Sequence, residues 1–370
     1  MRCKLGDISE ITKLAGYEFT KYIKYIPDGE IIAVRALNLK NGALVLDDIQ
    51  RISKEVSETL PRSQLHKNDI VLSYTGTLGE CAQIREDGKY HLAPNVCKIT
   101  PNDSVVNPNF LFQYIRCEKF KQTLINYAHG STQPTIPMST IRDIPVDIPD
   151  DLEKQGKIAA ILSILDEKIA INRAINDNLE QQAQAVFRQE LLQNGELPPN
   201  WTTGSLLDIA DYLNGLAMQK FRPVDGERGL PVLKIKELRQ GFCDYSSELC
   251  SPNIKPEFIV HDGDVIFSWS GSLLVDLWCG GTCGLNQHLF KVTSVKYPKW
   301  FYYTWTAHHL ARFVAIAADK ATTMGHIKRE DLAKAEVIIP DVASMERIGG
   351  VLQPIYNLVI NQRIENRKLS

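Results

Sequence analysis

Two short stretches of the sequence each combine a large aromatic residue with small hydroxyl residues and a glycine. The first reads Tyr74-Thr75-Gly76-Thr77 and the second reads Trp269-Ser270-Gly271-Ser272. Hydroxyl groups, and backbone N–H groups beside glycine, are what proteins use to contact phosphates and base edges. We therefore interpret these stretches as exposed loops that contact nucleic acid, through Tyr74, Thr75, Thr77, Trp269, Ser270 and Ser272. The alternative is a pair of hairpin turns whose hydroxyls cap local backbone groups.

A second polar stretch follows further along in each half of the chain, and it supplies more residues of the same kind. The candidates there are Ser131, Thr132, Gln133, Thr322, Thr323, His326 and Lys328. Three basic residues, Arg35, Lys234 and Lys236, fall on predicted strand-to-loop segments from which they can reach phosphates. For each basic residue taken singly, a solvated surface charge is the simpler interpretation.

Motifs for catalysis are weak in this sequence. Pro149-Asp150 followed by Asp166-Glu167-Lys168 fits the pattern of metal-dependent nucleases, but the second part falls within a predicted helix, where charge pairs on an exposed face explain it. Cys279, Cys283 and His288 form only part of a zinc-ligand pattern. The sequence contains no phosphate-binding loop motif. We therefore predict no catalytic residues, no metal and no cofactor, and we expect that the chain is not an enzyme on its own.

The segment between the two sets of loops, Gln155 to Leu192, predicts one long helix. Its apolar residues recur with a spacing of 3.5, which is typical of a helix that packs along another helix. Asn172 and Asn176 interrupt this seam, either to fix the register of the partner or as solvated residues where the seam opens. The predicted seam residues of this helix are Ile158, Leu162, Leu165, Ile169, Asn172, Asn176 and Leu179.

A shorter copy of this helix ends the sequence. Its seam residues are Ile348, Leu352, Ile355, Val359 and Gln362. Gly349-Gly350 and Pro354 predict that this copy is weaker and kinked near its start. The two helices are expected to pair in the antiparallel sense.

The order of signals in the first half of the chain returns in the second. Leu5-x-Asp7-Ile8 matches Leu206-x-Asp208-Ile209, and the stretch Asp69 to Gly76 matches Asp264 to Gly271. Short β-branched runs and a helical patch near residues 108–127 predict an α+β fold. We expect two similar globular heads separated by two long helices that form an antiparallel coiled coil with pseudo-twofold symmetry. The predicted boundaries are 1–149 for the first head, 150–194 for the central helix, 195–340 for the second head and 341–370 for the C-terminal helix.

Composition argues against several classes of protein. The 370 residues carry a net charge of −2, which argues against a histone-like nucleic-acid binder. Eight irregularly spaced cysteines are typical of reduced thiols in the cytoplasm. No apolar run reaches membrane-spanning length and the N-terminal residues show no signal peptide, so we predict a cytoplasmic protein with no membrane association.

Taken together, four motifs in this order resemble the specificity subunit of type I restriction-modification systems, over essentially the whole chain. They are Leu5-x-Asp7-Ile8, Asp69 to Gly76, Gly130 to Gln133 with Ile136, and Gln155 to Ile169. The resemblance implies that each head is a target recognition domain for one half of a bipartite sequence in double-stranded DNA. It further implies that the paired helices set the gap between the half-sites and dock two methyltransferase subunits. Subunits for restriction and translocation complete such a complex.

The chain departs from a strict repeat in ways that bear on function. The second head has Thr322-Thr-Met-Gly where the first has Ser131-Thr-Gln-Pro, so Gln133 has no counterpart. The heads also differ between residues 17–31 and 216–230, which predicts different half-sites and an asymmetric target. Three other interpretations remain open: the specificity component of a related, type IIB-like system that cuts on both sides of its site, a stand-alone sequence-specific DNA-binding protein, and a helical scaffold with degenerate heads.

Overall fold

The computed structural model describes residues 1–130, 133–192, 197–319 and 326–370. The chain forms two compact units, residues 1–164 and residues 165–370, and the division falls inside the long central helix. Unit 1 therefore contains the first head and the beginning of that helix. Unit 2 contains the remainder of the helix, the second head and the C-terminal helix.

Unit 1 is built from short strands, short helices and three 3₁₀ turns at Leu5–Asp7, Ala36–Asn38 and Pro61–Ser63. Its strands are β1 (Arg2–Lys4), β2 (Ser9–Lys13), β3 (Ile31–Val34), β4 (Leu39–Lys40), β5 (Ala43–Leu44), β6 (Gln50–Ile52), β7 (Gln64–Leu65), β8 (Ile70–Ser73), β9 (Cys81–Gln83), β10 (Tyr90–Leu92), β11 (Val96–Pro101) and β12 (Pro145–Asp147). Its helices are α1 (Gly16–Tyr22), α2 (Lys54–Thr59), α3 (Pro108–Arg116), α4 (Glu118–Asn126), α5 (Met138–Asp143) and the first part of α6 (Leu152–Leu191).

The strands of unit 1 form two four-stranded sheets and two small pairs. The first sheet has the order β2-β11-β8-β9 and is antiparallel. The second has the order β6-β3-β10-β7, with β3 and β10 parallel. Strand β1 pairs with β12, and β4 pairs with β5. The first sheet packs against α3 and α4 through a core in which Leu72, Ile99 and Leu111 are inaccessible to solvent, each burial worth about 2–3 kcal/mol.

Unit 2 repeats this architecture. Its strands are β13 (Thr202–Ser205), β14 (Asp211–Asn214), β15 (Leu230–Leu233), β16 (Leu249–Cys250), β17 (Ile259–Val260), β18 (Val265–Ser268), β19 (Leu274–Leu277), β20 (Cys283–Leu285), β21 (Leu289–Thr293) and β22 (Glu336–Ile339). Its helices, besides the rest of α6, are α7 (Leu206–Ile209), α8 (Ile235–Gln240), α9 (Lys299–His308), α10 (Leu310–Asp319), α11 (Arg329–Ala333) and α12 (Val342–Leu369). Two 3₁₀ turns lie at Met218–Lys220 and Pro256–Phe258.

The strand order shows that the two units share one topology. The order β14-β21-β18-β19 matches β2-β11-β8-β9, and β16-β15-β20-β17 matches β6-β3-β10-β7. The parallel pair β3 and β10 has its equivalent in β15 and β20. The prediction of a duplicated α+β fold with two long helices is therefore confirmed.

Repeated polar residues explain how the same frame arises twice. The Asp69 carboxylate accepts the His66 N–H at 2.7 Å, and the Asp264 carboxylate accepts the His261 N–H at 2.9 Å. Each carboxylate also lies near a lysine of the neighbouring strand, at 4.0 Å from Lys98 and 2.9 Å from Lys291. These aspartates fix the turn that leads into β8 or β18, so their recurrence reflects folding.

The two long helices begin in the same manner and pair in unit 2. Asp151 accepts the N–H of Glu153 at 2.8 Å, and Asp341 caps α12 by accepting the N–H of Ser344 at 2.7 Å. Near opposite ends of the pairing, Arg347 lies 2.7 Å from Glu190, and the Asn172 amide donates to Asn366 at 2.8 Å. The part of α6 within unit 2 is thus antiparallel to α12.

The predicted helix seam is not a simple apolar stripe, because it contains buried polar residues and an exposed apolar residue. Asn172 and Asn176 are both buried, so the alternative that they are solvated is wrong. Ile158 packs against the core of unit 1, whereas Leu162 is 38% exposed. The remaining predicted seam residues are buried or half-buried within unit 2: Leu165, Ile169, Leu179, Ile348, Leu352, Ile355, Val359 and Gln362.

Pro354 was expected to weaken and kink the C-terminal helix. It lies inside α12 at an exposed position, and the helix continues through it to Leu369. Ile348, Leu352 and Tyr356, on either side of the proline, are buried in the core of unit 2. This packing stabilises the helix independently of its intrinsic propensity.

Candidate nucleic-acid interface

In the first head, the loop after β8 is joined to the second polar loop by hydrogen bonds. The hydroxyl groups of Thr75 and Thr135 contact each other, and the N–H of Ile136 donates to the Tyr74 carbonyl at 3.0 Å. The hydroxyl of Ser73, at the end of β8, donates to the carbonyl of Thr77 and closes the first loop. The two polar loops are therefore held together as one surface.

The second head forms the same arrangement after β18. Ser270 pairs with His326 across an isolated antiparallel bridge, and the N–H of Ile327 donates to the Trp269 carbonyl at 2.9 Å. The hydroxyl of Ser268 donates to the Ser272 carbonyl at 2.9 Å. Both heads thus present two adjacent loops through equivalent backbone contacts.

Glycine is required at one position of each first loop. Gly76 has φ +80° and Gly271 has φ +64°, in the left-handed region that other residues rarely adopt. Next to these glycines, Thr77 and Ser272 are exposed, while Thr75 is half-buried and Ser270 is buried. Thr77 and Ser272 therefore have the better access to a ligand.

The aromatic residue that opens each loop has a partner that sequence reasoning missed. The Lys13 ammonium lies 5.3 Å from the centre of the Tyr74 ring. At the equivalent position of the second head, the Asn214 side chain accepts the indole N–H of Trp269 at 3.0 Å. Lys13 and Asn214 end strands β2 and β14, about 60 and 55 residues before their aromatic partners, and no local pattern connects them.

Electrostatics distinguishes Tyr74 from Trp269. Burial raises the pKa of the Tyr74 phenol, which strengthens the preference of this side chain for its neutral, hydrogen-bond-donating form. Trp269 stacks on Phe290 with ring centres 5.6 Å apart and meets His326 edge-on at 6.0 Å. The first loop pair therefore presents a cation and a phenol, and the second presents a cluster of aromatic rings.

The three basic candidates are engaged with acidic partners. Arg35 donates to Asp48 at 2.9 Å, and Lys234 is paired with Glu248. Lys236 lies in α8, not on a strand-to-loop segment, and its ammonium contacts Ser246 at 2.9 Å and Asp244 at 3.5 Å. The hydrogen bond from Ser246 is the main reason why the pKa of Asp244 is lowered to about 2. Each basic group therefore already has a carboxylate that competes with a phosphate for it.

The remaining candidates lie on or beside the second loops. Gln133 and Lys328 are exposed, and the N–H of Lys328 donates to Asp331 at 2.9 Å at the start of α11. Four predicted contact residues lie outside the described residues: Ser131, Thr132, Thr322 and Thr323.

A surface groove of about 660 Å³ lies elsewhere on the first head. It is lined by polar residues that include Glu10, Arg62 and Arg142. The groove adjoins the start of β2 and the end of β11, whereas Tyr74 adjoins the opposite end of the same sheet. It is therefore separate from the candidate loops.

The described ranges lack two further kinds of feature. No group of three or more His, Cys, Asp or Glu side chains within them is placed to hold a metal ion. No helix among the described residues is both long and apolar enough to cross a membrane.

The fold defines a protein with two heads of one topology, each carrying the same pair of adjacent loops. The family model described as "Type I restriction modification DNA specificity domain" matches residues 1–181 and again residues 198–368. The chain belongs to this family. The double match coincides with the repeated strand order.

Known relatives agree with this assignment. The chain is 25% identical over 298 residues to the type I restriction enzyme MjaIX specificity subunit of Methanocaldococcus jannaschii, covering 72% of this chain and 66% of that protein. It is 23% identical over 321 residues to the EcoKI specificity subunit of Escherichia coli, covering 80% and 66%. The matched region therefore spans slightly less than two thirds of each relative.

A solved structure shows the same fold. The crystal structure of a type I restriction-modification system S subunit from M. genitalium aligns over 100% of this chain and 92% of that chain, with a TM-score of 0.56 and 12% sequence identity. At this identity the likeness concerns the fold alone.

Proposed function

We propose that this protein is the DNA-recognition subunit of a type I restriction-modification complex, in which each head reads one half of an asymmetric bipartite site. The observation that carries the proposal is the repeated loop pair. Equivalent backbone contacts present Tyr74 and Thr77 in one head, and Trp269 and Ser272 in the other. A common frame with different side chains is suited to reading two different sequences in the same manner.

The chemistry of the loops fits the grooves of double-stranded DNA. Hydroxyl groups and amides donate to and accept from base edges, and lysine and backbone N–H groups bind phosphates. Thr77, Gln133 and Lys328 are exposed for such contacts. The role proposed for the protein is recognition without catalysis, so the chemistry on DNA belongs to its partner subunits.

The helices are proposed to set the gap between the half-sites and to dock two methyltransferase subunits. Apolar residues on α6 support docking: Ile161 and Ile164 are each 62% exposed in unit 1, and Ile171 is 57% exposed in unit 2. Ile161 and Ile164 lie three positions apart, so they share one face of the helix within unit 1. An exposed apolar helical face is typical of a surface that a partner helix covers.

Restriction and translocation subunits are the remaining partners in this proposal. Relatives named as specificity subunits of type I restriction enzymes support their inclusion.

Mapping N6-methyladenine at base resolution in cells with and without the gene tests the proposal. We expect loss of a single asymmetric bipartite motif when the gene is absent. A chain in which residues 200–340 are replaced by the corresponding segment of another family member should change one half of the motif and leave the other intact. An unchanged methylation pattern, together with failure to co-purify a methyltransferase, would refute the proposed function.

A further inference from the structure

An exposed surface that combines lysines and tyrosines adjoins the candidate loops of the first head. It follows strand β2 and includes helix α1. We refer to it as the lysine–tyrosine surface, and its residues are Lys13, Tyr17, Lys21, Tyr22, Lys24 and Tyr25. Tyr17 is 70% exposed, so its side chain is not part of the core.

The inward side of the same segment accounts for its folding. Phe19 and Ile23, four residues apart, pack against the core beneath the second sheet. Glu18 closes the start of α1, since its carboxylate accepts the N–H of Ala15 at 3.1 Å. Tyr17 and Lys21, also four residues apart, lie on the exposed side and are not needed for this packing.

The surface adjoins the candidate loop after β8. At that end, Lys13 lies over the Tyr74 ring at 5.3 Å. At the other end, the ring centres of Tyr25 and Phe19 lie 6.2 Å apart, which ties Tyr25 to the inward side of the segment. The lysine–tyrosine surface thus begins beside the loop after β8 and continues along α1.

The lysines of this surface differ from the basic candidates discussed above. Among the described residues, neither Lys13 nor Lys21 forms an ion pair with a carboxylate; Lys21 instead lies 4.9 Å from the centre of the Tyr22 ring. Arg35, by contrast, is paired with Asp48. Lysines without a carboxylate partner can bind an external anion without breaking an existing pair.

We propose that the lysine–tyrosine surface binds the phosphate backbone of DNA beside the half-site that the first head reads. This inference rests on the proposed function. Lysine ammonium groups neutralise phosphates and tyrosine hydroxyls donate to phosphate oxygens. These contacts position the head on the duplex and contribute affinity for every sequence, whereas the loops distinguish bases.

The test is the salt dependence of binding by the full-length protein assembled with its methyltransferase subunits. The probes are a labelled duplex that carries the mapped motif and a duplex with that motif scrambled. Between about 50 and 200 mM salt, the double variant Lys13→Ala/Lys21→Ala should lower the magnitude of the log–log slope by about 2, because each lost phosphate contact contributes about 0.9. Affinity for both duplexes should fall by the same factor.

Matched variants separate this role from a general loss of structure. Lys54→Ala, on α2 of the same head, removes an exposed lysine that lies 3.9 Å from Glu58, and it should leave the slope unchanged. Lys13→Arg/Lys21→Arg preserves the charge and should restore the wild-type slope.

The outcomes distinguish the two proposals. If the wild-type complex binds its motif and the double alanine variant keeps the wild-type slope, the inference is wrong and the proposed function stands. The inference would also be overturned if the double alanine variant lost affinity only for duplexes with a particular base at one position of the motif, since that would indicate base readout. If the wild-type complex shows no preference for the mapped motif, the proposed function itself fails.

Discussion

The end of strand β8 in the first head and the end of strand β18 in the second have the same backbone but different chemistry. Tyr74 lies beneath the ammonium of Lys13, whereas Trp269 donates to Asn214 and stacks on Phe290. Below these side chains, Ser73 and Ser268 close the loops through equivalent hydrogen bonds. The comparison teaches that buried polar residues maintain the frame, so the side chains above it are free to differ.

The heads also differ in how they are attached to their helices. In unit 1, the buried Gln155 of α6 accepts the Asn107 N–H at 2.7 Å and donates to the Pro149 carbonyl at 2.7 Å. In unit 2, Arg363 of α12 contacts Asp276 at 2.6 Å and Glu180 at 2.7 Å. The first head is therefore attached through hydrogen bonds of an uncharged amide, and the second head through ion pairs of an arginine.

The largest expected effect concerns the aspartates of the shared frame. Asp69→Ala should lower the free energy of unfolding of unit 1 by about 3–5 kcal/mol, because Asp69 is 2% exposed and its loss leaves Lys98 buried without its acidic neighbour. Asp264→Ala should cost unit 2 less, about 1–3 kcal/mol, because Asp264 retains access to water.

Denaturant titration of the full chain can measure these two effects separately. All five tryptophans lie in unit 2, at positions 201, 269, 278, 300 and 305, so their fluorescence reports unit 2 and circular dichroism reports both units. Equal costs at Asp69 and Asp264 would contradict the difference in burial.

The next effect concerns the charged attachment of the second head. Arg363→Ala should lower the free energy of unfolding of unit 2 by about 2 kcal/mol, because the partly buried Asp276 and Glu180 both lose their cation. Arg347→Ala is the matched control on the same helix. The Arg347 side chain is 60% exposed, whereas that of Arg363 is 28% exposed, so loss of the contact between Arg347 and Glu190 should cost less than about 1 kcal/mol. Tryptophan fluorescence during denaturation provides the measurement, and similar losses for both variants would count against this interpretation.

A smaller effect depends on pH and should occur in both heads. Burial lowers the pKa of His91 in the first head and of His309 in the second. As the pH falls, each histidine therefore binds a proton at a higher pH in the unfolded chain than in the folded one. The stability of the folded state is complete above about pH 6.5 and is lost as the pH falls through the lowered folded pKa. The loss should approach about 1.4 kcal/mol per pH unit for each histidine. His309→Gln should reduce the acid sensitivity of the tryptophan-reported transition, and what remains includes the neighbouring His308, whose pKa burial also lowers. His91→Gln should leave that transition unchanged.

The smallest effect on stability, with a sharp effect on recognition, is expected at the exposed loop hydroxyls. Thr77→Ala and Ser272→Ala should each change the free energy of unfolding by less than about 0.5 kcal/mol, because both side chains are exposed. Under the proposed function, each variant should relax base preference only in the half-site read by its own head. Methylation mapping of the two variants measures this, and a change in both halves from one variant would contradict independent reading.

Much of the frame could be predicted from local patterns. The apolar spacing indicated helix α6, and the predicted helical patch near residues 108–127 corresponds to α3 and α4. The duplication followed from ordered motifs such as Asp69 to Gly76 and Asp264 to Gly271. These features depend on residues close in sequence, for which spacing carries the information.

Other features depend on residues that meet only after folding. The parallel pairing of β3 with β10 joins strands about 60 residues apart, and nothing in either strand identifies its partner. The same holds for Lys13 with Tyr74 and for Arg363 with Asp276. Leu162 fits the heptad spacing and is nevertheless exposed, because burial depends on what packs against each part of the helix.

The amide of Asn172 has a consequence for uniformity within a population of molecules. It donates to Glu365 at 2.7 Å and to Asn366 at 2.8 Å in one alignment of α6 with α12. Sliding α12 by one heptad would place Val359 there and leave a buried amide unpaired, at a cost of about 1–3 kcal/mol. A free-energy difference of about 1.4 kcal/mol changes the ratio of two populations tenfold. Molecules with the misaligned helices would therefore be a minority. Under the proposed function, copies with different alignments of α6 and α12 would direct methylation to different DNA sequences in one genome. The Asn172 side chain opposes this heterogeneity.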